Sequence, residues 1–176
     1  METLTRSDAY SGNTCGVGLL RSAAVGGLAA GFGIAAYESL VSLALYDDFL
    51  LPGRMAASML LGPEALNRWY SPFTAALIGL GIHVLLSLLF GIIFGLLVRR
   101  SEWRASASRF IAAGALYGTV LWFLNFYLIA PVFAWLWFTL QTAPLLQGLI
   151  GHALFGAILG WTVAHRCRST RTAFSR

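Results

Sequence analysis

Four long apolar runs constrain the fold of this chain more than any other feature. They extend over Leu19–Leu45, Phe73–Val98, Phe110–Ala130 and Leu145–Ala164. Each is long enough to cross a hydrocarbon core of about 30 Å, which takes roughly 20 helical residues. A mean hydropathy of +0.74 and a charged fraction of 11% exclude an ordinary soluble domain, because such domains are about 25% charged. The sequence therefore predicts an all-α membrane protein with four transmembrane helices.

The arginines are distributed asymmetrically across these runs. All twelve basic residues are arginine, and ten lie before or at the very start of the first run, between the second and the third, or after the fourth. Only Arg54 and Arg68 lie on the other side of the membrane in this topology. The positive-inside rule then places both termini in the cytoplasm. Since a nucleic-acid-binding surface needs aromatic residues interleaved with basic ones on a folded face, which the short tails lack, the arginines favour contact with the lipid bilayer and not with nucleic acid.

The runs also predict the domain organisation. A polar cytoplasmic tail (1–18) is followed by a first hairpin (19–98) with an external amphipathic loop (46–72), a cytoplasmic arginine-rich loop (99–108), a second hairpin (109–166) with an apolar external loop (131–144), and a cytoplasmic tail (167–176). We expect the first external loop to lie on the outer leaflet. The second is too short to span the membrane, and an interfacial helix is favoured over a surface for a partner helix. Both tails are expected to be mobile.

The second and fourth runs share a pattern of small residues with one histidine. Every fourth position is occupied by Gly79, His83, Ser87, Gly91 and Gly95 in the second run, and by Gly148, His152, Gly156, Gly160 and Ala164 in the fourth. On a helix, this spacing aligns the positions in a single stripe. Small residues let helices approach closely in lipid, where van der Waals contact drives association. The stripes are therefore expected to be helix-packing surfaces.

The helices before these stripes match each other as well. A pair of glycines is followed, seven residues later, by a polar residue: Gly27, Gly31 and Glu38 in the first run, and Gly114, Gly118 and Asn125 in the third. The repeating unit is therefore a helical hairpin. Because each unit spans twice, both copies enter the membrane from the same side. The sequence predicts two tandem hairpins related by a pseudo-two-fold axis along the membrane normal.

Four polar residues of the repeat form a candidate buried site. Counted from the external helix ends at about 1.5 Å per residue, Glu38, His83, Asn125 and His152 lie roughly 9 to 16 Å deep. All four then occupy one layer in the outer half of the bilayer. An ionisable residue at such a depth indicates a functional site.

Three interpretations of this polar set remain open. In a structural role, a protonated Glu38 and the Asn125 amide each hydrogen-bond a neutral histidine. In a proton-coupled transporter or channel, Glu38 and the two histidines exchange protons, with further polar steps at Ser87, Thr119 and Thr162. In a haem b protein, His83 and His152 are the axial ligands, although closely packed glycine stripes argue against a macrocycle between them. Two histidines and one carboxylate make a weak case for zinc.

A further motif indicates a family. The stretch from Leu51 to Leu66, LPGRMAASMLLGPEAL, together with the Gly-x-x-x-His helix after it, resembles small bacterial four-span membrane proteins without an established function. The resemblance covers most of the chain and implies a location in the bacterial inner membrane, with no catalytic residues to transfer.

These observations favour a non-enzymatic role. The sequence contains no nucleophile elbow, phosphate-binding glycine loop or paired carboxylates. We therefore expect an integral membrane protein that acts through helix packing, as an accessory or assembly subunit or as a self-associating scaffold. Its partner would be another membrane protein or a second copy of the chain. No cofactor is expected apart from the haem b alternative.

Overall fold

The computed structural model describes residues 14–67, 69–99, 106–133 and 145–173, and the side chains of 14–17, 145 and 167–173 are outside this description. The elements in chain order are α1 (Thr14–Tyr46), α2 (Leu51–Leu61), a 3-10 turn (Pro63–Leu66), α3 (Pro72–Val98), α4 (Ala107–Phe123, continued by a π-helical turn over Leu124–Ile129 and by Ala130–Val132) and α5 (Leu145–Ala173). The described residues contain no strand.

Four of these helices are long and apolar enough to cross a membrane. The candidate spans are Gly18–Tyr46, Pro72–Val98, Ala107–Val132 and Leu146–Arg166. Each contains most of one predicted apolar run, so the expected fold class is confirmed. The rotation axis between the hairpins stays a prediction, as do the domain boundaries drawn from the sequence.

The ends of the outer helices differ from the sequence expectation. α1 begins at Thr14, inside the predicted polar tail, and α5 continues to Ala173, beyond the predicted end at Ala164. The expectation of a mobile tail after His165 stays a prediction, and its backbone is helical through Ala173. Arginine is a good helix former, so the helix continues although its residues become polar. The predictions for 1–13, 100–105, 134–144 and 174–176 fall outside the described residues.

α1 lies between α3 and α5, and α5 in turn packs against α4. In the described part of the chain, α3 and α4 share no extensive interface. They meet through Tyr117, whose hydroxyl donates to the Phe90 carbonyl at 2.9 Å and whose ring lies 5.3 Å from that of Phe94. The bundle is thus closed on three sides and more open between α3 and α4.

Both hairpins are joined by backbone contact at glycine. In the first, a Cβ atom added to Gly27 would lie 2.9 Å from the Cα atom of Gly91 and would also meet the Ser87 carbonyl. In the second, a Cβ atom added to Gly114 would lie 3.1 Å from the Gly160 nitrogen and would meet the Gly156 carbonyl. The sequence repeat pairs Gly27 with Gly114, and Gly91 with Gly160. Equivalent positions therefore make equivalent interhelical contacts.

The other glycines of the repeat follow the same arrangement. Gly31 packs on Ser87 near the His83 ring, and Gly118 packs on the His152 carbonyl. Gly95 contacts Ala23 of α1. The glycine stripes are consequently buried in contacts within the chain.

The two ends of the bundle differ in packing. At the end where α1 starts and α5 finishes, which we call the arginine end, large apolar side chains fill the interior: Leu19, Phe94, Val98, Phe110, Leu159 and Val163 are buried. At the opposite end, which we call the α2 end, α2 and the 3-10 turn lie between α1 and α3 along the chain. Here a smaller buried cluster of Ala57, Ala65 and Ala75 packs α2 and the turn against α3.

α2 is seated directly on α3. Gly53 of α2 packs against Gly79, which lies seven residues after the start of α3, or about 10 Å along the helix. Arg54, with a side chain 11% exposed, forms an ion pair with Asp48 at 2.8 Å and donates to the Leu66 carbonyl at 2.7 Å. These bonds tie the start of α2 to the segments before and after it. The predicted external loop (46–72) therefore contains a helix that packs on the bundle.

Candidate functional site

A cavity of about 320 Å³ lies inside the bundle at the α2 end. We call it the central cavity. All five helices contribute side chains, and the polar ones are Glu38, Ser42, His83, Asn125, Gln147 and His152, together with Tyr46, Ser87 and the indole of Trp122. Its volume is at the lower end of the roughly 300 to 1,000 Å³ that is typical of ligand pockets. The structure thus brings all four polar residues of the sequence repeat to one site.

Both histidines bond to backbone carbonyl groups. His83 donates from Nε2 to the Gly31 carbonyl at 2.9 Å, and His152 donates from Nδ1 to the Gly148 carbonyl at 2.9 Å. Because a carbonyl oxygen only accepts, the bonded nitrogen carries the proton. In a neutral ring, the lone pair then resides on Nδ1 of His83 and on Nε2 of His152. Each imidazole has one fixed donor and one remaining acceptor.

This bonding differs from the pairing that a structural role for the polar set requires. That role needs one histidine bonded to Glu38 and the other to Asn125, and neither bond occurs among the described residues. The paired glycines of α1 explain the difference for His83. Because Gly31 lacks a side chain, its carbonyl comes within reach of the ring on the neighbouring helix.

The Glu38 carboxyl group reaches the cavity from the interface of α1 and α5. A Cβ atom added to Gly151 of α5 would lie 3.4 Å from Glu38 Oε1, so the missing side chain makes room for the carboxyl group. No described residue forms a hydrogen bond or ion pair with Glu38. The carboxyl oxygens therefore face the cavity with free hydrogen-bonding capacity.

Gln147 supplies a second acceptor without a partner. Its Oε1 atom is buried and lacks a hydrogen bond with the described residues, and the side chain lines the central cavity. The sequence analysis did not identify this residue, because nothing in its spacing separates it from an ordinary interfacial glutamine. Only the packing of α5 against its neighbours places it at the cavity.

The last turns of α4 form the opposite wall. Asn125 and Phe126 lie in the π-helical turn over Leu124–Ile129, and the Phe126 ring lies 6.0 Å from that of His152 in a T-shaped arrangement. Pro131 explains the π turn, since it has no N–H to donate to the Tyr127 carbonyl and its ring crowds that carbonyl. The Ala130 N–H bonds to Asn125 instead. π-helical turns are frequent at functional sites.

Four residues before the histidine, both hairpins have a glycine, but a different group fills the space beside it in each. The Cβ position of Gly148 lies 2.8 Å from the Trp122 indole nitrogen, so this glycine makes room for an indole. Its counterpart Gly79 instead receives the backbone of α2 at Gly53. The same missing side chain thus accommodates an aromatic wall in one hairpin and a covering helix in the other.

α2 contributes an apolar wall that the sequence analysis did not include in the site. Met55, Ala56 and Met59 line the central cavity. The two methionines are four residues apart, so they lie on one face of the helix. Methionine is flexible and polarisable, and it adapts to ligands of varied shape. The spacing of Met55 and Met59 was the available signal in the sequence.

The polar lining does not continue toward the arginine end. Ser87 is buried where the first hairpin packs, and the Thr162 hydroxyl donates to the Ile158 carbonyl of its own helix at 2.8 Å. Phe94 is buried beyond Ser87, and Leu159 is buried between the cavity and Thr162. In the described residues, Ser87 and Thr162 are therefore separated by dense apolar packing.

The histidines are poorly arranged for haem. Nε2 of His83 donates to Gly31, so it offers no lone pair to iron, and the ring is held against the closely packed interface of α1 and α3. His152 retains a lone pair on Nε2, but a single histidine does not provide bis-histidine ligation. The described residues contain no group of three or more His, Cys, Asp or Glu that fits a metal ion. These residues do not fit the haem b alternative.

Comparison with known proteins identifies a family. A family model described as a conserved membrane protein, YqhR, matches residues 18–175. No curated protein and no solved structure is similar to the chain. The matched range contains all four membrane-spanning helices, α2 and every residue of the central cavity named above. The chain belongs to the YqhR family of conserved membrane proteins.

Proposed function

We propose that the chain is a non-catalytic binding protein of the bacterial inner membrane that holds a small amphipathic molecule in the central cavity. With the arginine end in the cytoplasm, as the positive-inside rule favours, the cavity lies in the outer half of the bilayer. The single observation that supports binding best is a cavity with apolar walls and polar groups that lack partners within the described residues.

The energetics of polar groups favour a ligand over an empty cavity. A buried polar atom without a hydrogen bond costs about 1 to 3 kcal/mol, and Gln147 Oε1 is such an atom in the described structure. The Glu38 carboxyl group and the free acceptor nitrogens of two histidines add to this set. A molecule that satisfies these groups while covering Met55 and Phe126 recovers both polar and apolar contacts.

The glycine stripes favour a binding role over self-association. A scaffold that packs through these stripes needs them on its lipid-facing surface. Here Gly27 faces Gly91, and Gly114 faces Gly156, so both pairs are consumed inside the bundle. Large apolar residues face outward instead, among them Phe32, Leu85 and Leu116. An accessory or scaffold role therefore lacks the surface on which the sequence argument depended.

A proton-coupled transporter is the second candidate, and the polar composition of the cavity favours it. Glu38 and two histidines line one volume, as in membrane proton relays. A transport cycle would require the helices to separate at the arginine end, where Phe94 and Leu159 now close the interior. The binding function requires no such rearrangement.

Filling the cavity should abolish binding. Ala56 lines the cavity from α2, so Ala56→Phe places a ring in the volume that a ligand would occupy. We expect at least one of three probes, phenylbutylamine, phenylbutanol and phenylbutyrate, to bind the wild type in phosphatidylcholine nanodiscs and to bind Ala56→Phe at least tenfold more weakly. Equilibrium dialysis against empty nanodiscs measures this difference.

Ala112→Phe is the matched control, because Ala112 is exposed on α4. This variant should bind the probes as the wild type does. Loss of binding in both variants would indicate a general effect of added bulk. Binding of no probe to the wild type, or equal binding to wild type and Ala56→Phe, would overturn the proposed function.

A further inference from the structure

We propose that the ligand of the central cavity is a primary or secondary amine with an apolar body, bound as its ammonium form by Glu38. This inference rests on the proposed function and specifies its ligand class. It follows from which atoms of the cavity already have partners and which do not.

Several hydrogen-bond donors of the cavity are already bonded to backbone carbonyl groups. His83 spends its Nε2–H on Gly31, and His152 spends its Nδ1–H on Gly148. The Ser42 hydroxyl donates to the Asp48 carbonyl at 2.7 Å. Three of the polar side chains therefore have their protons committed to backbone carbonyls, and these protons are unavailable to a ligand.

Several hydrogen-bond acceptors of the cavity have no partner among the described residues. Gln147 Oε1 is buried without a partner, and the two carboxyl oxygens of Glu38 have none among the described residues. The remaining ring nitrogens of the neutral histidines also accept. Donors without partners in the described residues come from neutral groups: the hydroxyls of Tyr46 and Ser87, the Trp122 indole, and the amides of Asn125 and Gln147. The donors of the cavity are thus uncharged, while its one carboxyl group is an acceptor without a partner among the described residues.

The charge of the cavity lining also favours an ammonium ligand. Glu38 is the single acidic residue that lines the cavity, and no arginine lines it in the described part of the chain. Arg54 is the nearest cation in sequence on this side, and it is paired with Asp48 at 2.8 Å. A carboxylate buried without a counter-ion is costly. An ammonium ion compensates this charge and at the same time donates up to three hydrogen bonds.

The walls of the cavity favour a ligand with an apolar body. Phe126, Phe155 and the indole of Trp122 line the cavity together with Met55 and Met59. Aromatic faces attract a cation within about 6 Å of the ring centre, and thioethers adapt to irregular apolar shapes. The wall thus suits an aliphatic or aromatic amine better than a small inorganic cation, which would leave these surfaces uncovered.

The experiment compares probes that share one body and differ in the head group. In phosphatidylcholine nanodiscs, we expect phenylbutylamine to bind the wild type at least tenfold more tightly than phenylbutanol and phenylbutyrate do. Charge-assisted hydrogen bonds are about twice as strong as neutral ones, which favours the amine. Phenylbutyltrimethylammonium carries the charge without an N–H donor and should bind at least fivefold more weakly than the amine.

Two variants test the role of Glu38. Glu38→Gln should lower the preference for phenylbutylamine over phenylbutanol at least tenfold, and continued binding of the alcohol shows that the cavity is intact. Glu64→Gln, which removes an exposed carboxyl group beside α2, should leave that preference unchanged. The preference of the wild type for amine over alcohol needs no variant and decides the matter if Glu38→Gln does not fold.

The outcomes separate the two proposals. If the alcohol or the carboxylate binds the wild type as tightly as the amine, and Ala56→Phe blocks that binding, the amine assignment is overturned while the binding function stands. Equal affinity of the amine and the trimethylammonium probe overturns the requirement for an N–H donor. If no probe binds the wild type, both proposals fail.

Discussion

Gly156→Ala should destabilise the bundle by about 1 to 3 kcal/mol, the usual range for overpacking, and thereby lower the midpoint of SDS-induced unfolding in mixed micelles. A Cβ atom at this position would meet the Gly114 carbonyl and lie 2.9 Å from the Gly118 nitrogen. Both obstacles are backbone atoms of α4, so no side chain can rotate away. α4 and α5 must therefore move apart to make room for the added methyl group.

Gly81→Ala is the matched control for this change. A Cβ atom added to Gly81 of α3 meets nothing within 4 Å. Since glycine lowers helix stability by about 0.5 to 1 kcal/mol relative to alanine, this variant should be as stable as the wild type or slightly more stable. Equal destabilisation by the two substitutions would show that the hairpins are not joined through glycine contacts.

Gly79→Ala should release α2 from α3 and open the central cavity. The added Cβ atom would meet the Gly53 carbonyl and lie 2.9 Å from the Ala57 nitrogen, and both belong to α2. A cost of about 1.4 kcal/mol, which lies within the range of 1 to 3 kcal/mol for overpacking, corresponds to a tenfold shift toward the released position. We expect Met55→Cys, in a background with Cys15→Ser and Cys167→Ser, to react about tenfold faster with a membrane-impermeant thiol reagent.

Gly81→Ala serves here as well, because it adds the same methyl group two residues away on the same helix. The labelling rate of Met55→Cys should not change in that background. An unchanged rate with Gly79→Ala would mean that α2 is not held at Gly79. An equal increase with both substitutions would indicate a general loosening of α3.

The parts of the structure that depend on periodicity could be predicted from the sequence. Four-residue spacing determines which residues share a helix face, so the stripe from Gly148 to Gly160 could be recognised without a partner helix. Depth along a span follows from rise per residue, which is why Glu38 and His83 could be assigned to one layer. Both features depend only on helix geometry and the thickness of the bilayer.

The parts that depend on packing between helices could not be predicted. The hydrogen bond from His83 to the Gly31 carbonyl requires the distance between α1 and α3, which no spacing encodes. The entry of α2 into the cavity wall depends on the contact of Gly53 with Gly79. The loop was expected to be amphipathic, and the same apolar face that suits a leaflet also suits a groove of the bundle.

The π-helical turn in α4 has a local cause in the sequence, the proline near the end of the helix. Pro131 lies four residues after Tyr127, and its missing N–H prevents a regular last turn. Asn125 and Phe126 consequently reach the cavity from a wider turn. A proline near the end of a membrane span is common, so its effect on the cavity wall becomes visible only in the folded chain.

The central claim is that one small molecule occupies the central cavity, and native mass spectrometry with phenylbutylamine tests it most directly. We predict a single one-to-one adduct on the wild type, and no adduct on Ala56→Phe under the same conditions. A wild type without an adduct, or the same series of multiple adducts on both proteins, would contradict the claim.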